Sequence, residues 1–214
     1  MNILEDMGYY NKEYLLNAKD FGIPQNRRRV VIVSTLEKID LIDFHSELSP
    51  NVSMYLKRDG DFKIFNDKYR LTMSVYKTNE LLIRNGTKQG FIRAKVGEIV
   101  DMAFPKSKTR RARLIKDRSC PTILTSAVLG VVTEDLNLRY LTAEEAWLFS
   151  GRTLEDYKKA YEALLDSDLK GIESKLYELS GNTVVPQVVA AVAEQLKDYL
   201  SQNKIGKKVA KWKH

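Results

Sequence analysis

The sequence contains very little cysteine and histidine. Among its 214 residues there is one cysteine, Cys120, and there are two histidines, His45 and His214. A single thiol cannot build an internal disulfide framework, and these three side chains do not form a zinc-binding pattern. We therefore expect no internal disulfide and no structural metal.

Long apolar runs are also lacking. No stretch approaches the roughly 20 apolar residues that cross a bilayer, and the opening residues, MNILEDMGYY, are neither basic nor followed by an apolar signal core. Hydrophobic residues make up 43% of the chain, which is enough for one sizeable core or two small ones. We expect a globular protein of the cytoplasm.

Positive charge is in excess and is concentrated in one segment. The 35 lysines and arginines outnumber the 28 acidic residues, which gives a formal net charge of +7. Residues 105–118, PKSKTRRARLIKDR, are rich in basic side chains and hold a single acid, Asp117. Such a segment suits contact with nucleic-acid phosphates. It has no aromatic side chain on which an unpaired base would stack, which counts against an RNA-binding protein.

The first two thirds of the chain show short helix, strand and turn patterns. A short helix is predicted to end at Gly8, and residues 9–17 are predicted to be extended. The unbroken apolar run at residues 30–33 predicts a fully buried strand of the parallel-sheet kind. Weak periodicity after it predicts a small, mostly β region, and residues 121–133 predict two short strands around a loop that contains Gly130.

Helices are predicted for the last third. Thr142 and Glu145 have the spacing of a capping box at a helix N-terminus. A second helix is predicted at Leu154–Leu165, and a long helix begins near Pro186. Residues 204–214, which are basic and lack an amphipathic pattern, are predicted to form a disordered tail.

Three short segments carry distinctive polar residues. They are QNRRR at residues 25–29, RYLTAEEAWLFSG at residues 139–151 and GNTV at residues 181–184. Any one alone is a weak signal, but all three in this order, with a variable stretch between the first two, form a specific one. In this order they resemble the eighth, ninth and tenth motifs of the DNA (cytosine-5)-methyltransferase family. The resemblance covers nearly the whole chain outside residues 35–105.

The resemblance implies an α/β fold. It would be the C-terminal part of a Rossmann-like, S-adenosylmethionine-dependent methyltransferase with a small, mostly β target-recognition domain. The implied divisions are residues 1–34, the end of the catalytic domain; 35–138, target recognition; 139–180, small-domain helices; 181–203, a closing helix that returns to the catalytic domain; and 204–214, the basic tail.

The resemblance also assigns roles near a catalytic pocket. Arg29 would hydrogen-bond a flipped cytosine, because a planar guanidinium suits a pyrimidine carbonyl oxygen. Arg27 would brace the pocket or a phosphate, and Gln25 would shape the turn. Without the resemblance, three arginines before a strand equally fit a solvated turn. Asn182 and Thr183 would contact S-adenosylmethionine, although alone they fit a helix cap.

The end of the variable stretch resembles the recognition loops of the family. Arg111 or Arg113 would read a guanine with two hydrogen bonds, although a solvated basic loop fits the same residues. Arg139 and Glu145 are predicted to support the recognition region structurally. The predicted DNA contacts are Lys106, Lys108 and Arg110 with phosphates, and Arg111, Arg113, Thr122, Ile123, Thr125 and Ser126 with bases.

Segments that carry the chemistry in the family have no counterpart in the sequence. These are the Pro-Cys loop, the Glu-Asn-Val segment and the glycine-rich cofactor loop, and Cys120 in Ser-Cys-Pro is predicted to be a packed residue. Under one hypothesis a separate catalytic chain, bacterial or phage-encoded like this one, completes a heterodimer that shares S-adenosylmethionine and binds double-stranded DNA. Under the other, the chain is an inert DNA-binding remnant or regulator. We favour the first, because a partner would cover apolar surface.

Overall fold

The computed structural model describes residues 2–39, 44, 51–65, 70–71, 79–85, 88–102, 112–167 and 169–202. Its strands are β1 Tyr10–Asn17, β2 Arg28–Thr35, β3 Arg70–Leu71, β4 Glu80–Arg84, β5 Phe91–Lys95, β6 Ile99–Asp101, β7 Leu129–Val132 and β8 Leu138–Tyr140. Its helices are α1 Asn2–Asp6, α2 Ala143–Phe149, α3 Leu154–Leu165, α4 Ile172–Gly181 and α5 Pro186–Gln202. This content matches the predicted α/β class. None of the helices in these residues is long and apolar enough to span a membrane.

Strands β1 and β2 form a two-stranded antiparallel sheet. The expected fully buried strand of a parallel sheet at residues 30–33 is therefore wrong. Val31 and Val33 pack against a core, but Val30 is 57% exposed and Ile32 is 47% exposed. An apolar run in a strand has two faces, because successive side chains point to opposite sides. Here only one face is covered.

One hydrophobic core joins the beginning of the chain to its last helix. Helix α5 begins at Pro186, as predicted. Proline suits this position because the N–H that it lacks would have no partner in the first turn of a helix. The buried members of this core are Leu16, Ala18, Ile23, Val185, Val188 and Val192. Helix α5 thus packs on the covered face of the β1–β2 sheet.

Two three-stranded antiparallel sheets, β3-β4-β5 and β6-β7-β8, form the middle of the chain. The expectation of two strands around a loop at residues 121–133 is wrong, because Gly130 lies inside β7, the one strand there. Gly130 pairs with both Val100 and Tyr140. A Cβ at Gly130 would lie 2.8 Å from the Leu138 side chain, so the close approach of β8 favours glycine.

Helices α2, α3 and α4 enclose another core, which includes Trp147, Phe149 and Tyr157. The predicted capping box at Thr142 is present, and α3 begins with a similar one. Helix α4 was not predicted from the sequence. Its buried apolar side chains are Leu176 and Tyr177, too few for a clear helical stripe.

A buried ion pair holds the start of α2 against β8. Arg139 and Glu145 are 2% and 0% exposed, and their two hydrogen bonds measure 2.9 and 2.6 Å. Arg139 also donates to the carbonyl of Lys57 at 3.0 Å and lies over the Phe62 ring at 4.1 Å. Glu145 accepts from the backbone N–H of Lys57 at 2.8 Å. The pair therefore ties α2 and β8 to the segment that contains Lys57.

Glu145→Gln should unfold the chain much more easily than Glu144→Gln. The first change leaves the buried Arg139 charge without its carboxylate, and we expect a loss of about 3–5 kcal/mol in the free energy of unfolding. The second removes the partly exposed carboxylate that pairs with the exposed Lys57 at 2.6 Å, an ion pair worth about 0–1 kcal/mol. Urea unfolding measures both, and equal losses would contradict the structural role of the buried pair.

Candidate functional site

The motif segments meet at one junction. Gln25 forms a parallel bridge with Cys120, which lies 95 residues further along the chain (120 minus 25). The Cys120 N–H donates to the Pro24 carbonyl at 2.9 Å, and the Asn26 N–H donates to the Cys120 carbonyl at 2.8 Å. Residues 24–26 thus lie directly against the end of the variable stretch.

The Gln25 side chain bridges two other segments from inside the junction. It is 0% exposed. Its Nε2 donates to the Phe149 carbonyl at 2.8 Å, and its Oε1 accepts from the Ile123 N–H at 3.2 Å. Both ends of the amide are therefore used in the fold.

Arg27 is the centre of the junction. Its guanidinium donates to the Ile123 carbonyl at 3.0 Å, the Gly181 carbonyl at 2.8 Å and the Thr183 carbonyl at 2.9 Å. The side chain is 5% exposed. Burial and the charge of Arg29 lower the Arg27 pKa to about 10, so the group remains charged at neutral pH. Arg27 braces the site, and its burial does not present it to a phosphate.

Gly181 allows a close backbone contact at the junction. A Cβ at this position would lie 2.4 Å from the carbonyl atoms of Leu124 and 2.5 Å from the Thr125 nitrogen. No larger residue fits unless one backbone moves. The exposed side chains of Leu124, Thr125 and Ser126 are consequently held beside the turn that follows α4.

Arg29 presents its side chain differently from Arg27. It lies on β2 and is exposed, and its Nη1 donates to the Arg28 carbonyl at 2.7 Å. It makes no ion pair with another described residue. Its charge is close enough to influence the Arg27 pKa. Arg29 therefore combines a position beside the junction with access from solvent.

The residues predicted to read bases fall into different environments. Ile123 is 0% exposed and belongs to a core, so the expected contact with DNA is wrong for its side chain. The partly buried Thr122 hydroxyl donates to the Asn26 carbonyl at 2.7 Å. Thr125 and Ser126 are exposed. Only these last two of the four present their side chains to solvent.

Of the basic residues predicted to contact DNA, the structure describes Arg113 alone. Arg113 is paired with Asp101, its Nε lying 2.8 Å from a carboxylate oxygen, and 61% of its side chain is exposed. The backbones of the same two residues exchange hydrogen bonds. The other predicted basic contacts lie outside the described residues; they are Lys106, Lys108, Arg110 and Arg111.

Asn182 and Thr183 differ in what they offer to a cofactor. The Asn182 side chain is exposed and makes no hydrogen bond with another described residue. Thr183 is 8% exposed. Its hydroxyl donates to the Val184 carbonyl at 3.1 Å and accepts from Arg152 at 2.6 Å, and a hydroxyl has only one proton to donate. The Asn182 amide is therefore exposed to solvent, whereas the Thr183 side chain is committed to the fold.

One contributor to the junction was missed by sequence reasoning. The buried Asn17 accepts from the Arg27 N–H at 2.9 Å and donates to the Asn26 side chain at 3.0 Å. It ends β1, opposite Arg28. Nothing in the local sequence distinguishes Asn17 from an ordinary strand-end asparagine.

Cys120 is a core residue. It is 0% exposed, and burial, more than the nearby carboxylates Glu145 and Asp101, raises the pKa of its thiol well above the ordinary value. A buried thiol that resists ionisation is a poor nucleophile. The predicted packed role of Cys120 agrees with this environment.

Comparison with known proteins identifies the family. The sequence model of the C-5 cytosine-specific DNA methylases matches residues 1–198, and the chain belongs to this family. Type II methyltransferase M2.ScrFI of Lactococcus lactis subsp. cremoris is 30% identical over 205 residues, which are 90% of this chain and 47% of that protein. M.Bsp6I of Bacillus sp. is 28% identical over 200 residues, 90% of this chain and 56% of that protein. The chain thus spans about half the length of these relatives.

Solved structures support the fold. The Entamoeba histolytica methyltransferase EhMeth superposes with a TM-score of 0.51 at 20% identity, covering 93% of this chain and 57% of the other. S. pombe Dnmt2 methyltransferase gives 0.51 at 18% identity, with 93% and 59% covered. The fold is that of S-adenosylmethionine-dependent methyltransferases, as predicted, and the family implies S-adenosylmethionine as the methyl donor.

Arg27→Lys should destabilise the chain, whereas Arg28→Lys should not. Lysine carries one nitrogen in place of the guanidinium fork and cannot reach three carbonyls in the same geometry, so we expect a loss of about 1.5–3 kcal/mol in the free energy of unfolding. Arg28 is exposed on β2, and its change should stay within about 0.5 kcal/mol. Unfolding of both variants in guanidinium chloride measures the difference. If Arg27→Lys left the free energy of unfolding unchanged, the junction would not need Arg27.

Cys120 should be unreactive in the folded chain. Because the thiol is buried and its pKa is raised, a disulfide reagent at pH 8 should label it only as fast as the chain opens. In denaturant the same thiol should react at the rate of a free cysteine. Rapid labelling of the native chain would contradict the core position of Cys120.

Proposed function

We propose that this chain is the target-recognition part of a DNA (cytosine-5)-methyltransferase and that a separate chain supplies the cysteine nucleophile. The junction around Arg27 carries the proposal. It unites the pocket segment at residues 25–29, the recognition segment at residues 122–126 and the turn at residues 181–184, so that one rigid site brings together the base, DNA and cofactor contacts that methyl transfer requires.

The pocket arginines have separate roles in this proposal. Arg29, exposed beside the junction, hydrogen-bonds the cytosine after it has been flipped out of the duplex. Arg27 and Gln25 are positioning residues, because the two terminal nitrogens of Arg27 and both ends of the Gln25 amide are bound to carbonyl and amide groups of the fold. They keep the strand that carries Arg29 in register with the recognition segment.

DNA is read by the surface next to the junction. Thr125 and Ser126 are exposed there and contact base edges, while Lys106, Lys108 and Arg110 contact phosphates. Either Arg111 or Arg113 reads a guanine. The ion pair with Asp101 favours Arg113, since a guanidinium anchored at Nε keeps a fixed direction.

The methyl donor is shared between the two chains. Asn182 contributes its exposed amide from this chain, and the glycine-rich loop of the partner supplies the rest of the S-adenosylmethionine site. Thr183 supports the turn through its internal hydrogen bonds and does not touch the donor.

The uncovered face of the β1–β2 sheet is the docking surface for the catalytic chain. Leu15 and Val30 are opposite each other in the sheet, with exposures of 67% and 57%, and Ile32 on the same face is 47% exposed. Apolar side chains grouped in this way mark a binding surface. The partner that fits is a half of the same fold, because the relatives are about twice as long as this chain.

Methyl transfer from labelled S-adenosylmethionine to mixed-sequence duplex DNA tests the function. The chain alone should be inactive, and activity should appear when a candidate catalytic half, such as one encoded beside it, is added. Arg29→Ala should lower that activity about 10²–10³-fold, as loss of a positioned hydrogen-bond donor does, whereas Lys159→Ala, at an exposed position of α3, should not. Silence in every mixture, with salt-sensitive DNA binding retained, would identify an inert DNA-binding regulator instead.

The docking surface can be tested with matched substitutions. Ile32→Lys places a charge in the middle of the uncovered face and should abolish association with the catalytic half, because a buried unpaired charge opposes binding. Met54→Lys changes a side chain that is 81% exposed in a different turn and should leave association intact. Sedimentation of the mixed chains measures association. If the two variants associated equally with the catalytic half, the partner would have to bind another surface.

A further inference from the structure

The turn between α2 and α3 lies against the start of α5. Gly151 has φ of +80°, a conformation that glycine adopts without strain. Its carbonyl accepts a hydrogen bond from the Gln187 side chain at 2.7 Å. The next residue, Arg152, is therefore held beside the segment that connects α4 to α5.

The Arg152 guanidinium is directed at a hydroxyl. It stacks over the Trp147 ring at 4.2 Å and donates to the Thr183 hydroxyl at 2.6 Å. Burial lowers the Arg152 pKa more than Asp156 raises it. The Asp156 carboxylate itself caps α3 by accepting from Thr153. Among the described residues, Arg152 thus hydrogen-bonds with Thr183 and not with an acid.

Thr183 is consequently held by an arginine on each side. Arg27 binds its backbone carbonyl at 2.9 Å, and Arg152 binds its hydroxyl at 2.6 Å. The hydroxyl proton goes to the Val184 carbonyl at 3.1 Å. These contacts fix the backbone directly next to Asn182, which the proposed function assigns to the methyl donor.

We propose that Arg152 is a positioning residue for cofactor binding. It acts through Thr183 and holds the turn at residues 182–184 in the conformation that receives S-adenosylmethionine. The identity of the ligand rests on the proposed function, whereas the coupling between Arg152 and Thr183 does not. Arg152 needs no contact with the cofactor in this role.

A double-mutant cycle in the intact chain tests the coupling. Arg152→Met and Thr183→Val should each raise the unfolding equilibrium constant about tenfold, and the double variant should also raise it about tenfold instead of about hundredfold. Thr183→Ser keeps the hydroxyl, so adding Arg152→Met to that variant should again raise the unfolding equilibrium constant about tenfold. Lys159→Met, which removes an exposed charge from α3, should change the constant less than about threefold. A double variant whose unfolding equilibrium constant rises about hundredfold, the product of the two single effects, would overturn the coupling.

Steady-state kinetics of the reconstituted enzyme test the consequence. Arg152→Met should raise KM for S-adenosylmethionine about tenfold, while kcat and KM for DNA stay within about twofold. Equal increases in both KM values would show general loosening and overturn the positioning role. If no mixture is active, the proposed function fails, and the double-mutant cycle still decides whether Arg152 acts through Thr183.

Discussion

The structure depends on a buried, charged guanidinium that is solvated by backbone carbonyl oxygens. Removing a cation from water costs several kcal/mol, and Arg27 offsets that cost with hydrogen bonds to Ile123, Gly181 and Thr183. Each segment supplies part of the compensation, so none can leave without exposing the charge to an unfavourable environment. This makes the junction cooperative and explains why segments far apart in the chain take one fixed arrangement.

Close packing and a second arginine reinforce the junction. The missing side chain of Gly181 lets the backbone of Leu124 approach, while Arg139 and Glu145 hold the start of α2 against β8. The result is that the exposed residues 124–126 lie on a close-packed support. Under the proposed function, this support would suit sequence reading better than a mobile loop, and it would serve methyl transfer, in which a flipped base and its methyl donor must meet in a narrow range of geometry.

Local sequence patterns predicted much of the fold, but they did not predict the contacts between distant segments. The capping box at Thr142 depends on residues three positions apart, and the start of α5 depends on Pro186 alone, so both are visible in the sequence. The order of the three motifs indicated the family. The partners of Arg27 lie 96 to 156 residues away, and no local signal names them. Burial was the least predictable property: the core position of Ile123 and the uncovered Val30 depend on which segments lie opposite.

Native-state amide hydrogen exchange on the intact chain tests the cooperative junction most directly. The amide of Ile123, at residues 122–126, donates to the Gln25 side chain. The amide of Asn182, at the start of the turn, donates to the Glu178 carbonyl. A single junction predicts that both amides open with the same free energy and that Arg27→Lys accelerates both to the same degree. Faster exchange at one of them alone would contradict the account, because the segments would then open independently.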